Sequence, residues 1–333
     1  MKVSVFGTGS WGTALAQQMA RRGHDVLSWA LEPEVSEGIN REHRNPLFLQ
    51  DLDLHENLRA SSDLEEVARH CNTWIWVVPV QFSRAVMKGM SGYVRSDVVL
   101  VSSSKGIETS TLKRMDEMAW DELNLPQSRF CALSGPTFAR EVVLGLPSLA
   151  VIACPDIDVA VRLQQAFSDE HVRFYASSDL LGVELAGALK NVVAIAAGVI
   201  DGLGLGANTQ AAVMTRGLHE ITRLGVAMGA DATTFRGLAG MGDLVLTCTG
   251  SLSRNRTVGQ RLGRGEKLGD ILASMREVVE GVRTTPAVNE LARQYHVEMP
   301  IAEAMTELLA GKSDPKDLTY NLMVRSLKEE SKL

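Results

Sequence analysis

The sequence predicts an α/β domain on a doubly wound, mostly parallel sheet, followed by an all-helical domain. Three observations carry this. Short apolar segments alternate with helix signals through the first half of the chain, the pattern that covers both faces of a parallel sheet with helices. The first of these segments runs straight into Gly7-Thr8-Gly9-Ser10-Trp11-Gly12, a G-x-G-x-x-G loop that opens onto a helix. Beyond Ser177 no convincing strand remains. The chain therefore divides into a sheet domain over 1–178 and a helical domain over 179–333. Its 333 residues suffice for two separate cores.

The elements follow in order. Lys2–Phe6 is an apolar strand, and residues 13–22 form a helix that ends near Gly23. Asp25–Ala30 is the second strand. Ser62-Asp63-Leu64-Glu65 has the form of a capping box opening a helix that reaches Cys71. Trp74–Val78 is a buried strand stopped by Pro79. Val98–Val101, Phe130–Leu133, Leu149–Ala153 and Val172–Tyr175 complete the set. In the second half, Ser178-Asp179 caps a long helix reaching Ile200, and Asn208–Met228 is another. Asp231 starts a short one. Thr285-Pro286 supplies a cap and an N1 proline ahead of Ala287–Gln294, and Asp314-Pro315 does the same near the end.

Composition narrows the function. Hydrophobic content of 45% and charged content of 22% are those of an ordinary soluble globular protein. A net charge of −6 without a basic tract gives no support for nucleic-acid or anionic-membrane partners. Cys71, Cys131, Cys154 and Cys248 form no CxxC, and the histidines form no HxxxH or HExxH pair, so no metal site is expected. Buried reduced thiols fit a reducing cytosol. The N-terminus enters a strand at once, leaving no room for a signal peptide. The longest apolar run, Val192–Ile200, falls short of the ~20 residues a membrane span needs. A cytoplasmic protein with no membrane span is expected.

Strand, glycine loop and helix form the context of a dinucleotide site, with NAD(H) or NADP(H) as the cofactor. Of Gly7, Gly9 and Gly12, one makes the tight turn, one lets backbone approach the pyrophosphate, and one lets helix pack on strand. The pyrophosphate sits on the helix N-terminus, where N–H groups and the dipole favour an anion. Glu32, 20 residues after Gly12, stands where an acidic residue binds the ribose 2′-OH of NAD, or else it starts the next helix facing water.

Five further segments can carry chemistry, each with a plainer alternative. Lys190 lies in the apolar stretch Leu185–Ala194; it either shuttles a proton with a lowered pKa or snorkels to solvent. In Ser251–Arg256, Ser253 can cap a helix, exposing N–H groups at Arg254 and Asn255 while Arg254 adds a fork of donors for phosphate. The alternative is a capped helix with solvated arginines. Lys105 follows the strand Val98–Val101, at the carboxyl end where such sheets bind ligands, or is a plain loop lysine. Gly135 and Thr137, in Ser134-Gly135-Pro136-Thr137, follow their own strand in the same way, though a turn alone accounts for them. Asp243, in Gly240-Met241-Gly242-Asp243, either meets a substrate hydroxyl or a lysine, or caps the next helix.

Taken together these segments resemble the bacterial-type NAD(P)-dependent glycerol-3-phosphate dehydrogenases along essentially the whole chain. The resemblance rests on GTGSWGTALA at the start, SSSKGIE at 102–108, LSGPTFARE at 133–141 and ELAGALKNVVAIAAG at 184–198. It continues through GLGANTQAAVMTRGL at 204–218, GLAGMGDLVLTCTGSLSRNRTVG at 237–259 and VVEGVRT at 278–284. It implies reduction of dihydroxyacetone phosphate to sn-glycerol 3-phosphate, serving glycerophospholipid synthesis, in a homodimer. It implies a helical second domain like that of 6-phosphogluconate dehydrogenase. Lys190 falls on the family's proton donor and acceptor. Lys105, Gly135, Thr137, Lys190, Asp243, Ser253, Arg254 and Asn255 fall on its substrate positions. Ser10, Trp11, Lys105, Ala139, Arg254, Val278 and Glu280 fall on its cofactor contacts. Relatives often place a basic residue just past strand two, and Trp29–Glu34 has none. A β-hydroxyacid or 6-phosphogluconate dehydrogenase shares the architecture, and LSGPTFARE and SLSRNR argue against it. A nonenzymatic NAD-binding sensor is the alternative of another class.

Overall fold

The fold is that of a computed structural model, which describes residues 1–324 and residue 329. Residues 325–328 and 330–333, the last of the expected helical domain, lie outside the described residues. The chain forms two compact units, Met1–Ser104 with Arg114–Leu180, and Lys105–Lys113 with Leu181–Leu333. The short excursion Lys105–Lys113 belongs with the helices because Ile107 is buried in the helical core. A division drawn at one point of the chain does not capture it.

The first unit is an eight-stranded sheet: β1 (Lys2–Phe6), β2 (Asp25–Trp29), β3 (Leu58–Ser61), β4 (Thr73–Trp76), β5 (Val99–Ser102), β6 (Phe130–Ser134), β7 (Ser148–Ala153) and β8 (Val172–Ser177). Their order is β3-β2-β1-β4-β5-β6-β7-β8. The first six reproduce the doubly wound dinucleotide-binding arrangement, with the strand order reversing between β1 and β4. Apolar side chains are buried on both faces, Val3, Val5, Ile75, Val101 and Ile152 on one and Phe6, Trp74, Leu100 and Phe130 on the other. The tryptophans of β4 are fully buried, and their N–H groups are satisfied by the Cys71 carbonyl at 3.0 Å and the Ser83 hydroxyl at 2.9 Å.

Three local features differ from the sequence reading. β3 went unpredicted because only Leu58 and Ala60 of Leu58-Arg59-Ala60-Ser61 are buried, too few apolar positions to show alternation. The cap of helix Leu64–His70 is Asp63, which accepts from the Glu65 and Glu66 amides, while Ser61 rather than Ser62 binds back to the Asp63 amide. β7 runs antiparallel to β6, and β8 runs parallel to β7. The connection from β6 holds only the five-residue helix Ala139–Val143. Such a helix rises about 7.5 Å, less than half the roughly 17 Å length of a five-residue strand. The chain therefore re-enters the sheet from the end at which it left.

The second unit is helical among the described residues, as predicted. Its central helix, Leu180–Gly202, is long and apolar enough to cross a membrane, yet 94% of its most apolar window is buried by protein. Gly198 and Gly259 let it approach helix Arg254–Gly263 backbone to backbone; a Cβ at either would stand 2.1 Å from the Arg256 carbonyl or 2.0 Å from that of Ile195. Helix Glu280–Gln294 starts earlier than predicted and holds Thr285 and Pro286 in its interior. Its first turn is anchored from outside, by the Gly281 amide donating to the Asn255 side chain at 3.0 Å, and Thr284 and Thr285 are fully buried. Those tertiary contacts outweigh the one backbone bond the proline removes.

Candidate active site

In the sheet unit the glycine loop stands at the carboxyl end of β1, where the strand order reverses. Gly7 takes φ +106°, a turn that L side chains rarely adopt. A Cβ on Gly12 would stand 1.8 Å from the Gly7 carbonyl, so helix Ser10–Arg21 can pack on the turn only without one. Gly9 is different: nothing lies within 4 Å of where its Cβ would be. The open space there is what close approach of a pyrophosphate requires, and the residues present fit a dinucleotide. Gly9 is also the helix N-cap, with no side chain to occupy the donors of the first turn. The Trp11 indole donates to the Ser103 hydroxyl at 2.5 Å, which ties the start of the helix to the residue after β5.

The other predicted positions of this unit lie around the end of β6. A Cβ at Gly135 would come within 2.7 Å of Ala150 Cα, so packing against β7 already demands glycine there. The Thr137 hydroxyl donates to the Gly135 carbonyl at 3.2 Å. Ala139 opens the short helix Ala139–Val143. Glu32 is the N-cap residue of helix Pro33–Glu42 and makes no side-chain cap bond.

In the helical unit one cluster dominates. Lys190 is 6% exposed and Asp243 is 1% exposed. The Lys190 ammonium donates to Asp243 Oδ1 at 2.5 Å and to the Thr247 hydroxyl at 2.5 Å. Asp243 Oδ2 accepts from the Lys105 ammonium at 2.6 Å. The Thr247 hydroxyl donates in turn to the Asp243 backbone carbonyl at 2.6 Å. Asp243 is thus not a helix cap: it is the first residue of helix Asp243–Thr249, and its carboxylate lies between two lysines. The preceding π-helical turn, Leu238–Gly242, is closed by the Gly242 amide on the Gly237 carbonyl at 3.1 Å. Gly240 permits this turn, because a Cβ there would strike the Phe235 backbone at 2.2 Å.

The electrostatics follow from burial and shared charge. Burial pushes Lys190 down, Asp243 pushes it back up and Lys105 pushes it down again, leaving it at about 8. Burial alone would raise the Asp243 carboxyl, but Lys105 and Lys190 outweigh that and hold it below the usual carboxylate range. With both lysines protonated and Asp243 ionised, the cluster carries one surplus positive charge in a water-poor site. Such a charge favours an oxyanion. The adjacent Cys248 thiol is pushed up to about 12 by burial and stays protonated.

The predicted anion site takes a more specific form. Ser253 is the N-cap of helix Arg254–Gly263 and accepts from the Arg256 amide at 3.3 Å. The Arg254 and Asn255 amides have no intrahelical acceptor at this end. The Asn255 side chain is partly engaged elsewhere, donating to Asn191 Oδ1 at 2.9 Å and accepting from the Gly281 amide. Arg254 is half-exposed, and its Nη1 meets the Val278 carbonyl at 2.8 Å and Glu277 at 3.1 Å. Arg254 and Val278 are therefore in direct contact. Glu280 begins helix Glu280–Gln294. The sequence reading missed Thr247 and Asn191. Thr247 was legible, since it lies four residues after Asp243 and so shares its helix face. Asn191 carried no signal beyond its place next to Lys190.

Among the described residues no group of three or more His, Cys, Asp or Glu could hold a metal ion. All four cysteines are free and buried.

Residues 2–160 match the family model for the NAD-dependent glycerol-3-phosphate dehydrogenase N-terminus, and residues 179–320 match that for the C-terminus. A glycerol-3-phosphate dehydrogenase (NAD(P)+) of Nitratidesulfovibrio vulgaris is 50% identical over 330 residues, covering 99% of this chain and 100% of that one. One from Syntrophotalea carbinolica is 50% identical over 333 residues, covering 99% of each. The crystal structure of glycerol-3-phosphate dehydrogenase from Coxiella burnetii superposes with a TM-score of 0.92 at 33% identity, covering 97% of this chain and 99% of that one.

Proposed function

The chain belongs to the NAD-dependent glycerol-3-phosphate dehydrogenase family, and from that premise we propose how its own residues reduce dihydroxyacetone phosphate to sn-glycerol 3-phosphate with NAD(P)H. When bound, the nicotinamide supplies the hydride that reaches C2. Lys190 supplies the proton: its ammonium donates to the C2 oxygen as negative charge develops there, and solvent restores it. In the reverse direction neutral Lys190 takes the alcohol proton. The observation that carries this role is a lysine almost wholly buried, lowered to about 8, and held by Asp243 and Thr247. Asp243 orients Lys190, and Lys105 adds the surplus positive charge that draws in the anionic substrate. Arg254 with the amides of Arg254 and Asn255 holds the phosphate, while Gly135, Thr137 and Ser253 line the rest of the substrate site. Gly7, Gly9, Ser10, Trp11, Gly12 and Ala139 hold the cofactor from the sheet unit. The family reading also assigns cofactor contacts to Lys105, Arg254, Val278 and Glu280.

The direct test is turnover of dihydroxyacetone phosphate with NADH and NADPH side by side, against a β-hydroxyacid panel. Reduction of dihydroxyacetone phosphate is expected, with NADH used at least as well as NADPH. Glu32, at the position of the ribose-binding acid and with no basic residue in Trp29–Glu34, supports that order. Turnover of a hydroxyacid alone would overturn the reading.

Arg254→Ala should weaken selection for the phosphate. Hydrogen bonds to charged groups contribute about 1.5–3 kcal/mol, or roughly 10- to 150-fold. The half-exposed setting of Arg254 places the loss toward the lower end. Specificity constants for dihydroxyacetone phosphate and unphosphorylated dihydroxyacetone would be compared in parent and variant. Unchanged discrimination would place the phosphate elsewhere. The family reading also supports a cytoplasmic homodimer that supplies glycerophospholipid synthesis.

A further inference from the structure

Between helix Pro33–Glu42 and β3 the chain makes an irregular excursion, and its most buried polar residue is Asn45, with no exposed surface. Its carboxamide is satisfied on every side. Nδ2 donates to the Thr8 carbonyl at 2.8 Å and to the Thr13 hydroxyl at 2.9 Å. Oδ1 accepts from the Leu47 amide at 3.1 Å and the Phe48 amide at 3.0 Å. The last two bonds form an Asx-type turn that fixes the excursion itself. The first two reach the glycine loop. The Thr13 hydroxyl also donates to the Thr8 carbonyl, at 3.1 Å. Thr8 is 3% exposed and Thr13 is 1% exposed, so the whole triangle is dry.

A peptide unit is planar and trans, so its C=O and N–H point in opposite directions. Holding the Thr8 carbonyl inward with two donors therefore turns the Gly9 N–H outward. Space beside Gly9 is open, since nothing lies within 4 Å of where its Cβ would stand. A flip of this peptide changes ψ of Thr8 and φ of Gly9, and glycine at position 9 tolerates either φ, so the loop's own sequence does not choose its orientation. We infer that Asn45, assisted by Thr13, is a positioning residue for the dinucleotide: it locks the Thr8–Gly9 peptide with its N–H presented to the pyrophosphate. The inference rests on the dinucleotide reading above and adds a residue from outside the glycine motif.

Asn45→Asp separates the two halves of the carboxamide. It keeps the acceptor for Leu47 and Phe48 but replaces the donor facing Thr8 with an oxygen. Thr13→Val removes the second donor with almost no change of shape. NADH binding would be measured by calorimetry, and KM for dihydroxyacetone phosphate at saturating NADH. In Asn45→Asp the NADH dissociation constant is expected to rise roughly five- to hundredfold, the effect of leaving one buried partner unsatisfied. In Thr13→Val it should rise by a smaller factor, and KM for dihydroxyacetone phosphate should stay at the parent value in both. Should Asn45→Asp fail to fold, Thr13→Val decides alone. Parent-like NADH affinity in the folded variants would overturn the inference, as would a parallel rise in KM, which marks general loosening. A parent protein that does not bind NADH would overturn the dinucleotide reading and this inference with it.

Discussion

Lys190→Ala is expected to lower kcat for dihydroxyacetone phosphate reduction by ~10²–10⁴-fold, the usual contribution of a positioned proton donor. The dissociation constant for NADH should stay near the parent value, because Lys190 sits in the helical cluster and not at the glycine loop. The parent's pH profile checks the same role. Reduction needs the ammonium, so its rate should fall as pH rises through about 8; oxidation of sn-glycerol 3-phosphate needs the neutral amine and should rise over the same interval. Lys190→Ala should flatten both limbs. A variant with near-parent kcat, or a reduction rate that climbs through that interval, would remove Lys190 from the chemistry.

Asp243→Asn should be nearly as damaging, by a different route. The amide preserves the shape but leaves Lys190 and Lys105 buried without their shared counter-charge. Removing one partner of a buried pair typically costs about 3–5 kcal/mol. Part of that would appear as a lower melting temperature and part as lost activity. The distinguishing readout is again pH. Asp243 raises the Lys190 pKa, so without it the ammonium should release its proton at lower pH. The alkaline fall in reduction would then begin nearer neutrality. A loss of activity with an unmoved profile would make Asp243 merely structural.

What could be read in advance was local or patterned. The glycine loop is contiguous, and its three glycines have distinct roles within a dozen residues. Lys190 stood out as an ammonium in an apolar helix without any structure. Asp243 stood out too, as a carboxylate able to meet a lysine, but nothing local paired it or Thr247 with Lys190, 53 and 57 positions away. Lys105 reaches Asp243 across 138 positions. The Asn45-Pro46 turn was ordinary in sequence, and nothing local says that its carboxamide reaches back to Thr8. Pro286 misled for a related reason: its local preference for a helix start was overridden by anchors at Gly281 and buried threonines. The reversal at β7 also left no mark in the strands, since a strand's composition carries no direction; the short helix before it decided that.

By itself, the sequence determined the fold class, the dinucleotide loop and the family. These rest on residue identity, period and order along the chain, which need no third dimension. Tertiary structure alone decided that Lys190 is held at about 8, that Asp243 serves two lysines and caps no helix, and that the Asn255 side chain is engaged in packing. Desolvation and Coulomb interaction depend on which groups are brought within a few ångströms and on how much water leaves with them. Neither quantity exists until the chain has folded.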